Sequence, residues 1–241
     1  MQAVLLRVGI DTGSGGIHGP LFKDGTFEFI PIVDGFAGSG VSDRTYGNTV
    51  GRRYKRKLID YFPEKLRERR RETPIHDDPE FGTFTYGDPT RPKAGLRKLK
   101  KGDLLIFYAG LQGWNFLCDP ALYIIGFFEV EKAGLAVEFS RGKLRRDFEK
   151  NFHVRHKRVF EDQKERLVLV KGGLRSRLLR KAERISMPGM DSAGRPIHVL
   201  SSRMQNVFGD FQGHISIHRS PPRKILPEFA SRAERFVRSL R

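Results

Sequence analysis

The sequence predicts an α+β fold in which buried strands are flanked by basic helices, and three observations lead to this prediction. The apolar runs at residues 103–109 and 122–130 are continuous, as in strands buried on both faces. Segments rich in arginine and lysine have helical character and alternate with the strands. No linker or internal repeat divides the chain, so we expect a single domain over residues 1–241.

The N-terminal part is predicted to consist of short strands joined by loops rich in glycine. In chain order, we expect a strand at 4–10, a glycine-rich loop at 11–20, a strand at 27–32 and a long loop at 34–51. Residues 52–72 are very basic and predict a helical insertion, in which Pro63 begins a new helix because proline suits the first helical turn.

The C-terminal part is predicted to contain the buried strands and most of the helices. In chain order, we expect a short basic helix at 96–99, the two buried strands, a charged helical insertion at 140–165, a strand at 166–171, a basic helix at 174–184 and a C-terminal helix at 226–241. Gly126 interrupts the second apolar run and predicts a bulge or a bend there, because glycine in a strand interior weakens the pairing.

Positive charge is the strongest feature of the composition. The 45 Lys and Arg residues outnumber the 28 Asp and Glu residues, which gives a net charge of +17 and a pI near 10.3. A surplus of this size favours a polyanionic partner, with nucleic acid ahead of an anionic membrane. Arginine predominates, and its planar guanidinium binds phosphate oxygens and stacks on bases. The alternative interpretation is an arginine-rich proteome of a GC-rich or thermophilic source.

Several classes of protein are disfavoured by the same sequence. The single cysteine, Cys118, excludes an internal disulfide and favours a reducing, cytoplasmic location. No run approaches the roughly 20 apolar residues of a membrane span, and the N-terminus predicts a strand in place of a signal peptide. We therefore expect no membrane association, no cofactor and no metal centre.

The glycine-rich loop is the first candidate site. Gly13, Ser14, Gly15 and Gly16 follow a predicted strand, and glycines allow backbone N–H groups to approach a phosphate closely. The loop lacks the Gly-Lys-Ser/Thr ending of a P-loop. Its Asp-Thr-Gly-Ser start matches the aspartic-protease triplet, but a second copy is missing from the chain. Either the loop only closes the fold, or Asp11 and His18 line a pocket.

A second candidate site lies in the polar segment that follows the basic insertion. His76, Asp78 and Asp88 could ligate a metal, act as acid and base, form the polar wall of a pocket, or belong to an ordinary loop. His153 and His156 are surrounded by cationic side chains, which favours a patch that faces phosphate over a zinc site.

Aromatic and cationic residues supply the remaining candidates for a nucleotide site. Four aromatic residues are candidates for stacking on a base: Tyr86, Phe107, Tyr108 and Trp114. Only one of the neighbours Phe107 and Tyr108 can line a pocket, because successive side chains of a strand alternate between its faces. Trp114 is the strongest candidate because it stands in a polar loop. The candidates for phosphate contacts are Lys171, Arg177, Arg219 and Arg223.

Two resemblances to known families extend this interpretation. The succession of a Gly-Asp turn, an apolar strand at 103–109 and a second apolar strand that bends at Gly126 resembles PUA-like domains, which include the EVE, ASCH and YTH modules. This resemblance implies that the strands form a small mixed PUA-like β-barrel, which holds a base or a modified nucleotide in a pocket beside it.

The whole chain also resembles the family called nucleotide modification associated domain, type three. The residues that carry this resemblance are 7–20, 76–81, 85–88, 102–111, 171–172, 176–179 and 219–223. It implies a role with chemically modified bases in DNA.

Together these observations predict a nucleic-acid-associated protein that binds a base or nucleotide, modified or not, in DNA more readily than in RNA. The alternative is an enzyme that modifies bases or processes nucleotides, in which Asp11, His18, His76, Asp78 and Asp88 meet in one cleft. A third hypothesis is a structural partner in a nucleoprotein assembly, which needs no cleft.

Overall fold

A computed structural model of the chain describes residues 1–13, 15–35, 43–213 and 221–241, so the predicted site residues Ser14 and Arg219 lie outside the described part. The fold is mixed α+β, which confirms the predicted class. The strands are β1 (Ala3–Arg7), β2 (Gly19–Leu21), β3 (Ile32–Val33), β4 (Ile75–His76), β5 (Thr85–Asp88), β6 (Leu104–Gly113), β7 (Ala121–Leu135), β8 (Val168–Gly172), β9 (Arg177–Arg184), β10 (Ser186–Met190), β11 (Pro196–Leu200) and β12 (Arg223–Lys224).

The helices cover the sheet and its edges. The α-helices are α1 (Glu64–Arg71), α2 (Arg141–Phe148), α3 (Phe152–Arg155), α4 (Lys157–Gln163), α5 (Ser202–Phe208) and α6 (Pro227–Ser239), and 3-10 helices occupy Leu58–Tyr61, Arg91–Lys98 and Ala136–Glu138. No helix in the described ranges combines the length and the apolar character that crossing a bilayer requires.

The main sheet is built around β6, whose residues 104–111 are buried and whose backbone groups therefore need partners on both edges. β7 pairs antiparallel along one edge, while β1 and β2 both pair parallel along the other. β1 is matched to residues 104–108 and β2 to residues 111–113. The chain between β1 and β2 thus leaves this edge and returns to it, and Ala109 and Gly110 occupy the gap between the two pairings.

β7 carries the predicted irregularity at Gly126. The pairing register shifts between Ile124 and Gly126 on the β9 side, and between Phe107 and Tyr108 on the β6 side. A Cβ on Gly126 would lie 2.6 Å from the carbonyl oxygen of Arg177 and 2.8 Å from the Phe81 ring. The register shifts confirm the predicted bulge. The close neighbours explain why this position is a glycine, since they leave no room for a side chain.

The sheet does not close into a barrel within the described residues. Its strand order is β12-β1-β6-β7-β8-β5, and the two end strands are not paired with each other. The physical reason lies in β7, which pairs with β9 through residues 123–127 and with β8 through residues 130–135. The sheet branches at this long strand, so the small PUA-like barrel is not confirmed.

Two predicted elements are wrong, the first because of local contacts and the second because of a strand distant in sequence. The predicted strand at 27–32 survives only at Ile32, since Phe27 forms an isolated bridge with Leu21 and the Phe29 amide donates to the Glu28 carboxylate at 3.2 Å. The predicted basic helix at 174–184 is instead β9, which pairs with β7. Pairing with an available strand outweighs the helix propensity of its arginines and leucines.

Other predictions are confirmed at the level of elements. The buried strands are β6 and β7, the strand at 166–171 is β8, and the insertion at 140–165 forms α2, α3 and α4. The C-terminal helix is α6, which buries Ala233 and Val237. In the insertion at 52–72, only Leu58–Tyr61 and α1 are helical, and Pro63 caps α1 as expected. The hairpin of β10 and β11 and helix α5 had no sequence prediction.

A second apolar core supports the glycine-rich loop. Its buried members are Ile10, Ile17, Ile30, Tyr46, Leu58, Ile59, Tyr61, Phe62 and Ile75. Leu66 of α1 and Trp114 pack against it. The loop, α1 and the segment that follows β6 are therefore held together around one apolar cluster.

Gly126→Ala should destabilise the protein by about 1–3 kcal/mol, because the new methyl group overlaps a backbone oxygen that cannot move without shifting β9. Urea unfolding measures the change. Gly142→Ala on α2 is the matched control, since no atom lies within 4 Å of its Cβ position and the helix favours alanine. Equal effects of the two substitutions would contradict the crowding at Gly126.

Candidate functional site

A cleft of about 340 Å³ lies where the glycine-rich loop meets α1 and the end of β6. The residues that line it include Ile17, His18, Tyr61, Phe62, Arg67 and Trp114. We call this site the Trp114 cleft. Its volume is within the ~300–1,000 Å³ typical of small-molecule sites.

The aromatic wall of the cleft is formed by Trp114 and Tyr61. Their ring centroids are 5.1 Å apart at an interplanar angle of 72°, an edge-to-face contact that keeps the indole in place. The backbone amide of Trp114 donates to the carbonyl of Leu21 at 2.7 Å, which fixes the loop after β6 against β2. Burial raises the pKa of Tyr61 to about 12, and its hydroxyl has no hydrogen-bond partner among the described residues.

His18 stands at the gap on the β6 edge. It immediately precedes β2, which pairs Gly19 with Leu111. A Cβ on Gly110 would lie 2.7 Å from His18 Nδ1 and 3.3 Å from a guanidinium nitrogen of Arg7, so glycine at this position allows both side chains to approach the strand. Within the described chain, His18 Nδ1 is buried and has no hydrogen-bond partner.

Burial and nearby positive charges favour the neutral form of the His18 imidazole. Burial is the largest cause that lowers the pKa of His18, and the positive charge of Arg7 and the nearby His198 lower it further, against a smaller opposing effect of Asp11. Arg7 and Asp11 form an ion pair at 3.7 Å. Burial, Arg7 and Arg184 lower the pKa of His198 in the same way.

The glycine-rich loop positions these side chains by turning back on itself. The amides of Gly15 and Gly16 both donate to the carbonyl of Asp11, at 2.8 and 3.1 Å. Gly15 has no room for a side chain, because its Cβ would lie 2.2 Å from Ile10. These two N–H groups close the loop, so a phosphate cradle built from them would require the turn to open. Gly13 is exposed at the tip.

A second group of polar side chains is buried elsewhere in the fold. One ligand-type atom from each of His76, Asp78 and His153 lies within 4.8 Å of the other two. His76 belongs to β4, Asp78 follows it, and His153 is in α3. We call this group the His–Asp cluster. All three residues are at most 7% exposed.

Neighbouring residues orient each member of the His–Asp cluster. His76 stacks on Phe152, with ring centroids 4.2 Å apart. The Asp78 carboxylate accepts from the Gly87 amide at 3.2 Å, and His153 Nδ1 is 2.7 Å from Gln163 Oε1. Burial is the largest cause that lowers the pKa of both histidines, so both rings are held in the neutral form.

The five acid–base candidates therefore fall into three separate sets of contacts. Asp11 and His18 lie beside Arg7 at the Trp114 cleft. His76 and Asp78 belong to the His–Asp cluster. Asp88 accepts a hydrogen bond from the Tyr86 hydroxyl at 3.0 Å and pairs with Lys93 at 3.0 Å, which ties β5 to the 3-10 helix at Arg91–Lys98.

The interpretation of His153 as part of a phosphate-facing patch is wrong, because its side chain is buried among β5 and α4 residues and only 5% exposed. Asn151 accepts from the His153 amide and caps α3. That capping residue, followed by Phe152, is the signal that could have predicted a short helix with His153 on its inner side.

The remaining nucleotide-binding candidates lie outside the Trp114 cleft, either in the core or in contact with other side chains and backbone. Tyr86 and Tyr108 are at most 2% exposed, so their rings belong to the main core and offer no free face to a base. Lys171 donates to the carbonyl of Thr83, and burial lowers its pKa. Arg177 lies over the Phe127 ring at 5.4 Å and Arg223 over the Phe211 ring at 6.0 Å. Of the aromatic candidates, Trp114 lines the cleft.

Acid should weaken the fold through His18 and His198. Their pKa values in the folded protein lie below the ordinary 6.5, so below about pH 6.5 the unfolded chain binds protons that the folded chain does not, and the free energy of unfolding falls. We expect the double variant His18→Gln, His198→Gln to lose less stability than the wild type between about pH 7 and about pH 5.5. Urea unfolding at both pH values measures the difference, and identical losses would refute the assignment.

The comparisons with known proteins identify the family. Residues 2–238 match the family described as Nucleotide modification associated domain 3, so the chain belongs to this family. No curated protein and no solved structure matches the chain.

Proposed function

We propose that this member of the Nucleotide modification associated domain 3 family is a nucleic-acid-binding protein that holds a base or nucleotide in the Trp114 cleft. Modified bases are its expected ligands, DNA is its expected partner, and the cytoplasm is its expected location. The family description links the chain to nucleotide modification in general. The proposed contacts with a base and with phosphate are those that the residues of the Trp114 cleft can make.

The observation that carries the proposal is an aromatic wall beside a concave, partly polar space. Trp114 is half-buried, and its edge-to-face contact with Tyr61 holds the indole in one orientation. Stacking of a base on such a ring contributes about 1–3 kcal/mol and does not depend on which base is stacked. A pre-positioned ring also loses little conformational entropy when a ligand binds.

Polar atoms at the cleft could distinguish one base from another. The Tyr61 hydroxyl and His18 Nδ1 are buried and lack hydrogen-bond partners among the described residues. A buried polar atom without a partner costs about 1–3 kcal/mol, and a ligand that supplies the partner removes this cost. A base edge with a matching donor and acceptor therefore binds better than one without them.

Cationic side chains at the cleft supply the contacts to phosphate. Arg67 donates to the carbonyls of Phe62 and Asp60 at 2.8 and 3.2 Å, so its guanidinium is held at the rim with further N–H groups to offer. Arg7 and Arg184 add positive charge near His18 and His198. The net charge of +17 adds a long-range attraction to any polyanion.

Binding should quench the fluorescence of Trp114, which is the only tryptophan in the chain and therefore the only indole reporter. We expect oligonucleotides to quench it in a saturable way, and Trp114→Ala to weaken binding by about 1–3 kcal/mol, because the stacking surface is lost. Affinity is measured by anisotropy of a labelled oligonucleotide. Leu117→Ala is the control, since this side chain is 98% exposed in the same loop and does not line the cleft. Unchanged affinity of Trp114→Ala would overturn the proposed site.

Arg67→Gln should make binding less dependent on salt. Each phosphate contact contributes about 0.7–0.9 to the slope of log K against log salt, so the slope should decrease by roughly this amount. Arg166→Gln is the control. It removes the same charge at an exposed position, where Arg166 pairs with Asp162, and it should leave the slope unchanged. Equal changes in both variants would mean that general charge, and not the cleft, contacts the backbone.

A further inference from the structure

The His–Asp cluster has no role in the proposed binding of a base, although its donor atoms are arranged for a ligand of their own. We propose that His76, Asp78 and His153 bind one divalent transition-metal ion, with Zn²⁺ as the ion that fits best.

The donor atoms of the three residues lie close enough together to share one ion. One atom from each residue lies within 4.8 Å of the other two. Donors bound to one tetrahedral zinc ion at its usual bond lengths are roughly 3.4 Å apart. The three donors are therefore within reach of one shared ion after small side-chain movements.

Both histidines of the cluster carry a buried ring nitrogen that lacks a hydrogen-bond partner among the described residues. These nitrogens are His76 Nδ1 and His153 Nε2, and both side chains are only 5% exposed. Buried polar atoms in folded proteins are almost always paired. An ion between the two rings would satisfy both nitrogens at once.

Contacts with neighbouring residues orient all three side chains of the cluster. With Gln163 Oε1 as its acceptor at 2.7 Å, His153 Nδ1 carries the proton and Nε2 keeps its lone pair for the cluster. The Gly87 amide fixes the Asp78 carboxylate at 3.2 Å, and Phe152 fixes the His76 ring by stacking. Metal ligands in proteins are commonly oriented by such outer contacts.

The chemistry of the donors selects the ion. Two imidazoles and one carboxylate suit borderline ions such as Zn²⁺, whereas Mg²⁺ and Ca²⁺ prefer sites made entirely of oxygen donors. Three side chains leave a fourth position for a water molecule.

The metal content of the full-length protein tests the proposal. After exposure to Zn²⁺ and dialysis, elemental analysis should find about one equivalent per chain. Asp78→Asn should bind zinc more than tenfold more weakly, because it keeps the acceptor for Gly87 and loses the anionic donor. His156→Gln is the matched control, since this histidine contacts Phe152 without belonging to the cluster, and it should retain the metal.

Co²⁺ provides a readout that does not depend on any variant folding. Substitution into the wild type should give the intense visible absorption of a four-coordinate site with nitrogen and oxygen donors, and one equivalent of Zn²⁺ should abolish it. Equal zinc binding by wild type and Asp78→Asn would overturn the proposal. So would folded wild-type protein that takes up neither ion. Neither outcome bears on oligonucleotide binding, so the two proposals fail separately.

Discussion

Burial of β6 is the constraint on which the rest of the structure depends. A buried strand must have its backbone N–H and C=O groups paired on both edges. β7 pairs one edge, and β1 and β2 divide the other between them. This division leaves the chain between β1 and β2 free to leave the sheet at Gly110, where Arg7 and His18 approach the strand. The candidate cleft therefore lies beside a break in an otherwise continuous ladder.

The parts of the fold that follow from local patterns could be predicted from the sequence. Continuous apolar runs predicted β6 and β7, a glycine inside one of them predicted the bulge at Gly126, and an apolar stripe predicted α6. Two parts that failed depend on partners distant in sequence. β9 is a strand because β7 has an unpaired edge for it, and the sheet remains open because β7 is shared between two branches.

The residues of the candidate sites show the same difference between local patterns and contacts distant in sequence. The glycine-rich loop and Trp114 were recognisable from composition and position, because loops with glycine and an isolated aromatic residue are unusual locally. His153 was not, since its cationic neighbours Arg155 and Lys157 suggested a solvent-facing patch. Only the docking of α3 against β5 buries His153 beside His76, and that contact joins residues 77 positions apart in the chain. Tyr86 and Tyr108 were predicted to stack on a base, but both rings are buried in the main core.

Because β1 and β2 pair with separate parts of β6, the loop between them can change in evolution without a change of the fold. Both ends of the excursion between Arg7 and Gly19 are clamped by parallel ladders, and Ile10 and Ile17 anchor its middle in the second core. Among the described residues of this loop, Thr12 and Gly13 are exposed and neither belongs to the second core. Evolution could vary this tip, and with it the chemical selectivity of related proteins, while the scaffold beneath keeps its architecture.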